Sequence, residues 1–236
     1  MVAILLGVGL QSCDREDNNG DNNGGNNGGG GSGSDTTSLS LTWVDLGLPS
    51  GLLWADRNVG ANSPEDYGNY YAWGETTPKN VYDLSTYAYS NNSGKLTKYC
   101  NKASYGLNGF TDNLTTLEAS DDAATVNLGG GARTPTEDEW EELIDHTTST
   151  WIIRNGVNGR LLTAANGKSL FLPAAGGRRG TTLYRAGEYG YYWSSTLSTD
   201  YPYDAWIFGF YSSGQLMDYD YRSDGYSVRA VRASQH

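Results

Sequence analysis

Asp204-Ala205-Trp206-Ile207-Phe208-Gly209-Phe210-Tyr211 decides how this chain is read. Successive side chains of an extended strand point to opposite faces. Trp206, Phe208 and Phe210 therefore share one face, and Ile207, Gly209 and Tyr211 share the other. The three aromatics are expected in a core, and the alternate residues are expected to face a ligand. Outward from this stretch, short apolar runs alternate with clusters of Gly, Asn, Asp and Ser, the pattern of strands and turns. Residues 41–46, 52–59, 151–154, 160–164, 168–172, 189–195 and 227–233 read as further strands. One helix is well signalled. Thr134 is expected to cap it, Pro135 suits its first position, and Glu137 completes a capping box. Trp140, Leu143 and Ile144 then form one buried stripe. A shorter helix is expected to start at Ser63-Pro64-Glu65-Asp66. Strands plus these helices give an α+β class, irregular and loop-rich.

The 236 residues suffice for one good-sized domain with appendages. They include 18 Tyr and 7 Trp but only 4 Phe, more Tyr than a core needs. A buried Tyr must find a partner for its hydroxyl, so surplus Tyr belongs at surfaces and interfaces. A net charge of -11 with only 16 Lys plus Arg excludes nucleic acid as the expected partner, because phosphate neutralisation needs clustered basic residues. The two cysteines, Cys13 and Cys100, are expected to serve separately, with Cys100 a buried or half-buried spectator thiol.

Residues 2–10 are wholly apolar, too few to span a bilayer but suited to the core of a signal peptide. Leu10-Gln11-Ser12-Cys13 follows and resembles a bacterial lipobox. That resemblance implies a signal peptide at 1–12, cleavage before Cys13, lipidation of Cys13 and membrane attachment through the lipid. No Lys or Arg precedes the apolar run, a departure from the usual pattern. Residues 14–35 contain no apolar residue except glycine, so they cannot offset the entropy of ordering. Residues 13–37 thus read as a lipidated Cys and a flexible Asn/Gly/Asp linker. Asp14, Glu16 and Asp17 resemble the export signal that sends Bacteroidetes lipoproteins to the outer face of the outer membrane. The folded domain is expected over 38–236.

Three sets of residues carry a family resemblance. The run from Trp43 to Ala55 (Trp-Val-Asp-Leu-Gly-Leu-Pro-Ser-Gly-Leu-Leu-Trp-Ala) and Tyr70-Tyr71-Ala72-Trp73-Gly74-Glu75 resemble a paralogous surface domain of Fibrobacter and Bacteroides. Arg133-Thr134-Pro135-Thr136-Glu137-Asp138-Glu139-Trp140 is similar to the helix-start motif of formylglycine-generating enzymes. Tyr192-Trp193-Ser194-Ser195-Thr196 and Ser227-Val228-Arg229-Ala230-Val231-Arg232 resemble the end of the same domain. The resemblance spans nearly all of residues 40–234 and implies a C-type-lectin-like fold of the formylglycine-generating-enzyme type. Between the last two motifs, the chain resembles the variable region of proteins diversified by retroelements. There, randomised adenines turn Asn codons into a set that includes Tyr, Asp, Ser, Gly, Ile and Leu. Asp200, Tyr201, Tyr203, Asp204, Ile207, Gly209, Tyr211, Asp218, Tyr219, Asp220 and Tyr221 all belong to that set and are the expected ligand-contact residues.

Composition supports binding at about 189–226. Nine of the 18 Tyr lie there with five Asp, and Arg222 is the one basic residue. Tyr supplies large, stiff contact area at low entropic cost, and small polar residues add adaptable contacts. The acidic balance points to a macromolecular ligand, protein or glycan, with a basic or neutral surface. Catalysis is not expected. The oxidative chemistry of formylglycine-generating enzymes uses cysteines late in the domain, and no Cys follows Cys100. His146 and His236 are too few and too distant for a metal site, and His146 is expected at a helix C-terminus. The Glu-Pro-Asn, Gln-Pro-Asp and Trp-Asn-Asp calcium motifs of sugar-binding lectins are absent. Asp218-Tyr219-Asp220 reads as a solvated acidic loop. Gly176-Gly177-Arg178-Arg179-Gly180 reads as a tight turn, not a phosphate loop. Arg229 and Arg232 read as partners of buried carboxylates. No cofactor is expected. The leading expectation is a surface receptor or adhesin, with a carbohydrate-binding or carbohydrate-active lipoprotein and a pilus-tip or structural subunit as rivals.

Overall fold

A computed structural model of the protein describes residues 41–234. The expected signal segment, Cys13, the linker and His236 lie outside the described residues. Two short strands open the domain, β1 (Trp43–Asp45) and β2 (Leu53–Asn58). A long, largely irregular segment follows, interrupted by helix α1 (Ala123–Leu128). Helix α2 (Glu137–Asp145) leads into a meander of β3 (Thr147–Arg154), β4 (Val157–Ala164) and β5 (Ser169–Pro173). A small ribbon, β6 (Gly177–Arg179) and β7 (Thr182–Tyr184), precedes a second meander of β8 (Tyr189–Leu197), β9 (Asp204–Tyr211) and β10 (Gly214–Tyr221). The last strand, β11 (Arg229–Arg232), returns beside β2, so the ends of the domain share the sheet β1-β2-β11. Every strand pair is antiparallel.

The α+β class expected from the sequence is corrected by this architecture. Among the described residues, α-helix is confined to α1 and α2, six and nine residues long, against strands in four antiparallel sheets. The fold is β-rich. The expected helix at Ser63–Asp66 is a turn instead. The Asp66 carboxylate takes the N–H groups of Asn62 and Gly68, and such side-chain capture competes with helix formation. Helix α2 exists but starts two residues later than expected. Thr136 caps it, accepting from the Glu139 N–H, while the Glu139 carboxylate accepts from the Thr136 N–H. Thr134 is drawn away to donate to Asp122 at 2.6 Å. Trp140 and Leu143 are buried and Ile144 partly so, the expected stripe. His146 occupies the C-cap.

Two cores flank the sheet β10-β9-β8. Trp140 from α2 and Trp54 from β2 lie on one side with Tyr192, Phe208 and Phe210. Trp73, Tyr226 and Val228 lie on the other with Trp193, Ala205 and Ile207. Truncating one such ring to Ala costs about 3–5 kcal/mol. A strand covered on both faces loses its two-residue alternation of polar and apolar positions, and the centre of β9 does so. Arg229 is fully buried yet does not meet a carboxylate as expected. It donates to Asn58 Oδ1 at 2.7 Å and to the carbonyls of Ala55 at 3.0 Å and Phe171 at 3.1 Å. Burial lowers its pKa to about 10. Arg232 stacks over Trp43, 4.4 Å from the ring centre.

Candidate ligand-contact surface

The meander positions the expected contact residues through the register of β9 and β10. Two residues, Ser212 and Ser213, join Tyr211 to Gly214, and the pairing runs without a slip to Asp204 and Tyr221. Gly209 therefore pairs with Leu216, Ile207 with Asp218, Trp206 with Tyr219 and Ala205 with Asp220. Asp218-Tyr219-Asp220 is thus part of an edge strand and not the expected acidic loop. Because the period is two, Tyr219 shares the face of Trp206, and Asp218 shares the face of Gly209 and Tyr211.

Two aromatic clusters result, one on each face of the hairpin. On the α2 side, Tyr201 stacks on Tyr219 at 5.3 Å, and Trp206 meets Tyr219 edge-on at 5.6 Å. On the opposite side, Tyr211 stacks on Tyr189 at 5.3 Å, Tyr189 on Tyr191 at 5.8 Å, and Tyr191 on Tyr226 at 5.1 Å. Gly209, expected as a contact residue, is buried beside this ladder, although a Cβ there would meet nothing closer than 3.8 Å. At Gly190 a Cβ would come within 2.1 Å of the Phe210 ring, so that position is closed to side chains.

The expectation of one outward patch needs three corrections. Ile207 is only 3% exposed and packs in the core with Trp193, since the second face of β9 is covered there. Tyr203 is half-buried, donating to the Gly94 carbonyl at 2.8 Å with its ring against Tyr105. Tyr211 lies on the other face from Tyr219. The exposed members are Tyr201, Tyr211, Tyr219 and Tyr221, together with Asp200 and Asp218. Tyr189, Tyr191 and Leu216 lie within the expected segment 189–226 but not among the expected contact residues, and they join the Tyr211 face. Recognising Ser212-Ser213 as a two-residue hairpin turn places Leu216 beside Gly209, whereas Tyr189 and Tyr191 reach that face only through the pairing of β8 with β9.

Acidic groups around the hairpin play distinct parts. Asp218 Oδ1 accepts the N–H of Tyr219 at 2.9 Å, and Asp220 Oδ1 accepts that of Tyr221 at 2.8 Å. In this register those two N–H groups point away from β9, so the carboxylates close part of the free edge. Asp220 Oδ2 also takes the Tyr226 hydroxyl at 2.6 Å, while Asp224 holds Arg179. Asp204 is half-buried, with Oδ1 unpartnered. Burial first, and then Asp220, Asp218 and Asp224, raise its pKa to about 6, against the opposing pull of Arg222.

The segment's one basic residue is withdrawn from the surface. Arg222 is 1% exposed and donates to Tyr87 Oη and to the carbonyls of Lys98, Tyr99 and Pro202. Its guanidinium also lies over the rings of Trp73, Tyr87 and Tyr99. The loop carrying Tyr201 is tied down further by Lys102 Nζ on the Asp200 carbonyl at 2.7 Å and Asn101 Nδ2 on the Thr199 carbonyl at 2.9 Å. Cys100 is buried, with Sγ on the Lys102 carbonyl. Among the described residues, no three His, Cys, Asp or Glu side chains converge as a metal centre, and no helix is long and apolar enough to cross a membrane.

A family model described as a domain of unknown function, DUF8237, matches residues 162–231. The matched stretch runs from within β4 into β11 and contains both aromatic clusters and Arg222. No curated protein and no solved structure matches the chain.

Proposed function

We propose that the protein is a lipid-anchored surface receptor or adhesin that binds a macromolecular ligand through the exposed side chains of β9, β10 and the preceding loop. The hydroxyl groups carry this reading. The buried tyrosines have theirs partnered: Tyr70 donates to Ala175, Tyr82 to Tyr70, Tyr87 to Trp73 and Tyr192 to Pro173, all at backbone carbonyls. Tyr201, Tyr211, Tyr219 and Tyr221 are 36–55% exposed, and no hydrogen bond from their hydroxyls to a described residue exists. Folding does not use these hydroxyls, and a ligand can. Rigid, amphipathic rings on a fixed support suit recognition.

The resemblance to retroelement-diversified variable proteins is the second support. Under it, Asp200, Tyr201, Tyr211, Tyr219 and Tyr221 are interchangeable contact positions, while Ile207 and Tyr203 serve the fold, Gly209 is buried and Asp218 also guards the strand edge. An imperfect repeat of the 3′ coding segment beside a reverse-transcriptase gene is the expected arrangement of the locus, and sequencing that region tests it. Outer-membrane display through Cys13 is tested by labelling intact cells with palmitate and following surface exposure in Cys13→Ala. The binding claim is tested by capture of surface ligands with Tyr201→Ala/Tyr219→Ala/Tyr221→Ala. Loss of capture with an unchanged unfolding midpoint is expected. Undiminished affinity for a ligand the parent captures would refute the assignment.

A further inference from the structure

A cleft of about 480 Å³ opens at the end of β10, between Tyr82, Leu84, Tyr203 and Tyr221, with Arg179 and Asp83 among its polar lining. Pockets that hold small ligands run from about 300 to 1,000 Å³. Its aromatic walls present carbon. The Tyr82 hydroxyl is spent on the Tyr70 carbonyl at 2.6 Å and that of Tyr203 on the Gly94 carbonyl at 2.8 Å. Tyr221 is 55% exposed, so one wall is an open ring.

The polar side retains unused capacity. Arg179 Nε and Nη2 are held on Asp224, but Nη1 has no hydrogen bond to a described residue, and the side chain is 55% exposed. Asp83 Oδ1 takes donors from Ser85 and Thr86, while Oδ2 takes none. A free donor pair and a free acceptor thus flank carbon walls.

Charge narrows the occupant. An anion meets Asp83 and Asp224 in the cleft and Asp220 beside it. A cation meets Arg179, whose guanidinium already lies 5.8 Å from the ring centres of both Tyr184 and Tyr221. A wholly apolar side chain would cover Arg179 Nη1 and Asp83 Oδ2 without pairing them, which is costly. What remains is a neutral ring with an apolar C–H face and hydroxyl groups at its rim. We infer that this cleft binds a neutral pyranose, its C–H face on Tyr221 and its hydroxyls on Arg179 Nη1 and Asp83 Oδ2. Tyr82, Leu84, Asp83 and Arg179 lie outside the segment 189–226, so the site goes beyond the proposed contact surface.

Saturation-transfer NMR on the full chain tests this with the methyl glycosides of glucose, galactose, mannose and N-acetylglucosamine at millimolar concentration. Sialic acid and a Trp-containing dipeptide serve as comparison probes. Transfer to the ring C–H protons of at least one neutral glycoside is expected. It should vanish in Tyr221→Ala and persist in Tyr221→Phe, which keeps the ring, and in Tyr211→Ala, which lies elsewhere. Absence of transfer to all four glycosides overturns the inference, as does transfer that survives Tyr221→Ala or is confined to the dipeptide or sialic acid. Because Tyr201→Ala/Tyr219→Ala leaves the cleft intact, a variant that loses macromolecular capture but keeps glycoside transfer separates the two sites.

Discussion

Arg222 follows the last residue of β10, and its side chain turns into the interior, where three carbonyls and one hydroxyl accept its protons. Arg222→Met keeps much of the volume but leaves those carbonyls buried and unpaired. At about 1–3 kcal/mol for each unsatisfied buried group, the expected loss is about 3 kcal/mol or more. Tyr221→Ala, one residue away but exposed, is expected to stay within about 0.5 kcal/mol of the parent. Urea denaturation of the two variants measures the contrast. Asp204 gives a pH test. Its folded pKa is raised from 3.8 to about 6, so the stability it contributes is present below pH 3.8 and is lost as pH rises through 6. Asp204→Asn removes that loss. The variant should match the parent at the acid end, gain on it between pH 4 and 6, and hold a constant advantage above. A flat difference from acid to neutral pH would show that Asp204 is not the group responsible. At this scale the sequence misled over Arg229. A buried guanidinium suggests a carboxylate, but Asn58 and two carbonyls satisfy it, and no local pattern announces partners so far apart in the chain.

Elements show why some of the architecture was legible and some was not. The apolar runs of β5 and the centre of β9 were readable because they are nearly continuous and bounded by turn residues, and β2 and β8 because Trp54, Tyr192 and Trp193 anchor strand-like segments between such turns. β10 was not, because Asp218 and Asp220 depress strand propensity and only pairing with β9 makes Gly214–Tyr221 extended. Its carboxylates suit an edge, where an unprotected strand invites association. Asp218→Val removes the acceptor for the Tyr219 N–H and raises β propensity. It should cause concentration-dependent self-association in sedimentation velocity, whereas the control Tyr219→Ala stays monodisperse. Helix α2 is legible from its capping residues and the Trp140, Leu143, Ile144 stripe, but its start is two residues later than expected, because Thr134 and Thr136 both have the side chain of a cap. The choice was made by Asp122, which claims Thr134 from a distant loop. Thr136→Ala is accordingly the change that should cost about 1 kcal/mol of stability, measured by chemical denaturation.

Across the whole domain, alternation on one strand separated core from surface only where a single face is covered. β9 passes between two cores, so Ile207 went inside, and the tyrosines divided between two faces. That division depends on contacts among α2, the second core and the sheet, all distant in sequence from β9. Net charge acts at the same scale. With -11 on the chain and no exposed basic residue within 189–226, association with a basic ligand should slow and weaken as salt rises, chiefly through the on-rate. The central claim is that side chains at a few exposed positions can change freely on a support that does not. A cell-surface display library randomised at Tyr201, Tyr211, Tyr219 and Tyr221, selected against purified lysozyme as a basic protein probe, tests it most directly. The account predicts that most clones unfold near the parent's midpoint and that lysozyme binders emerge whose binding weakens with salt. A library in which most clones fail to fold, or which folds but yields no binder, would contradict it.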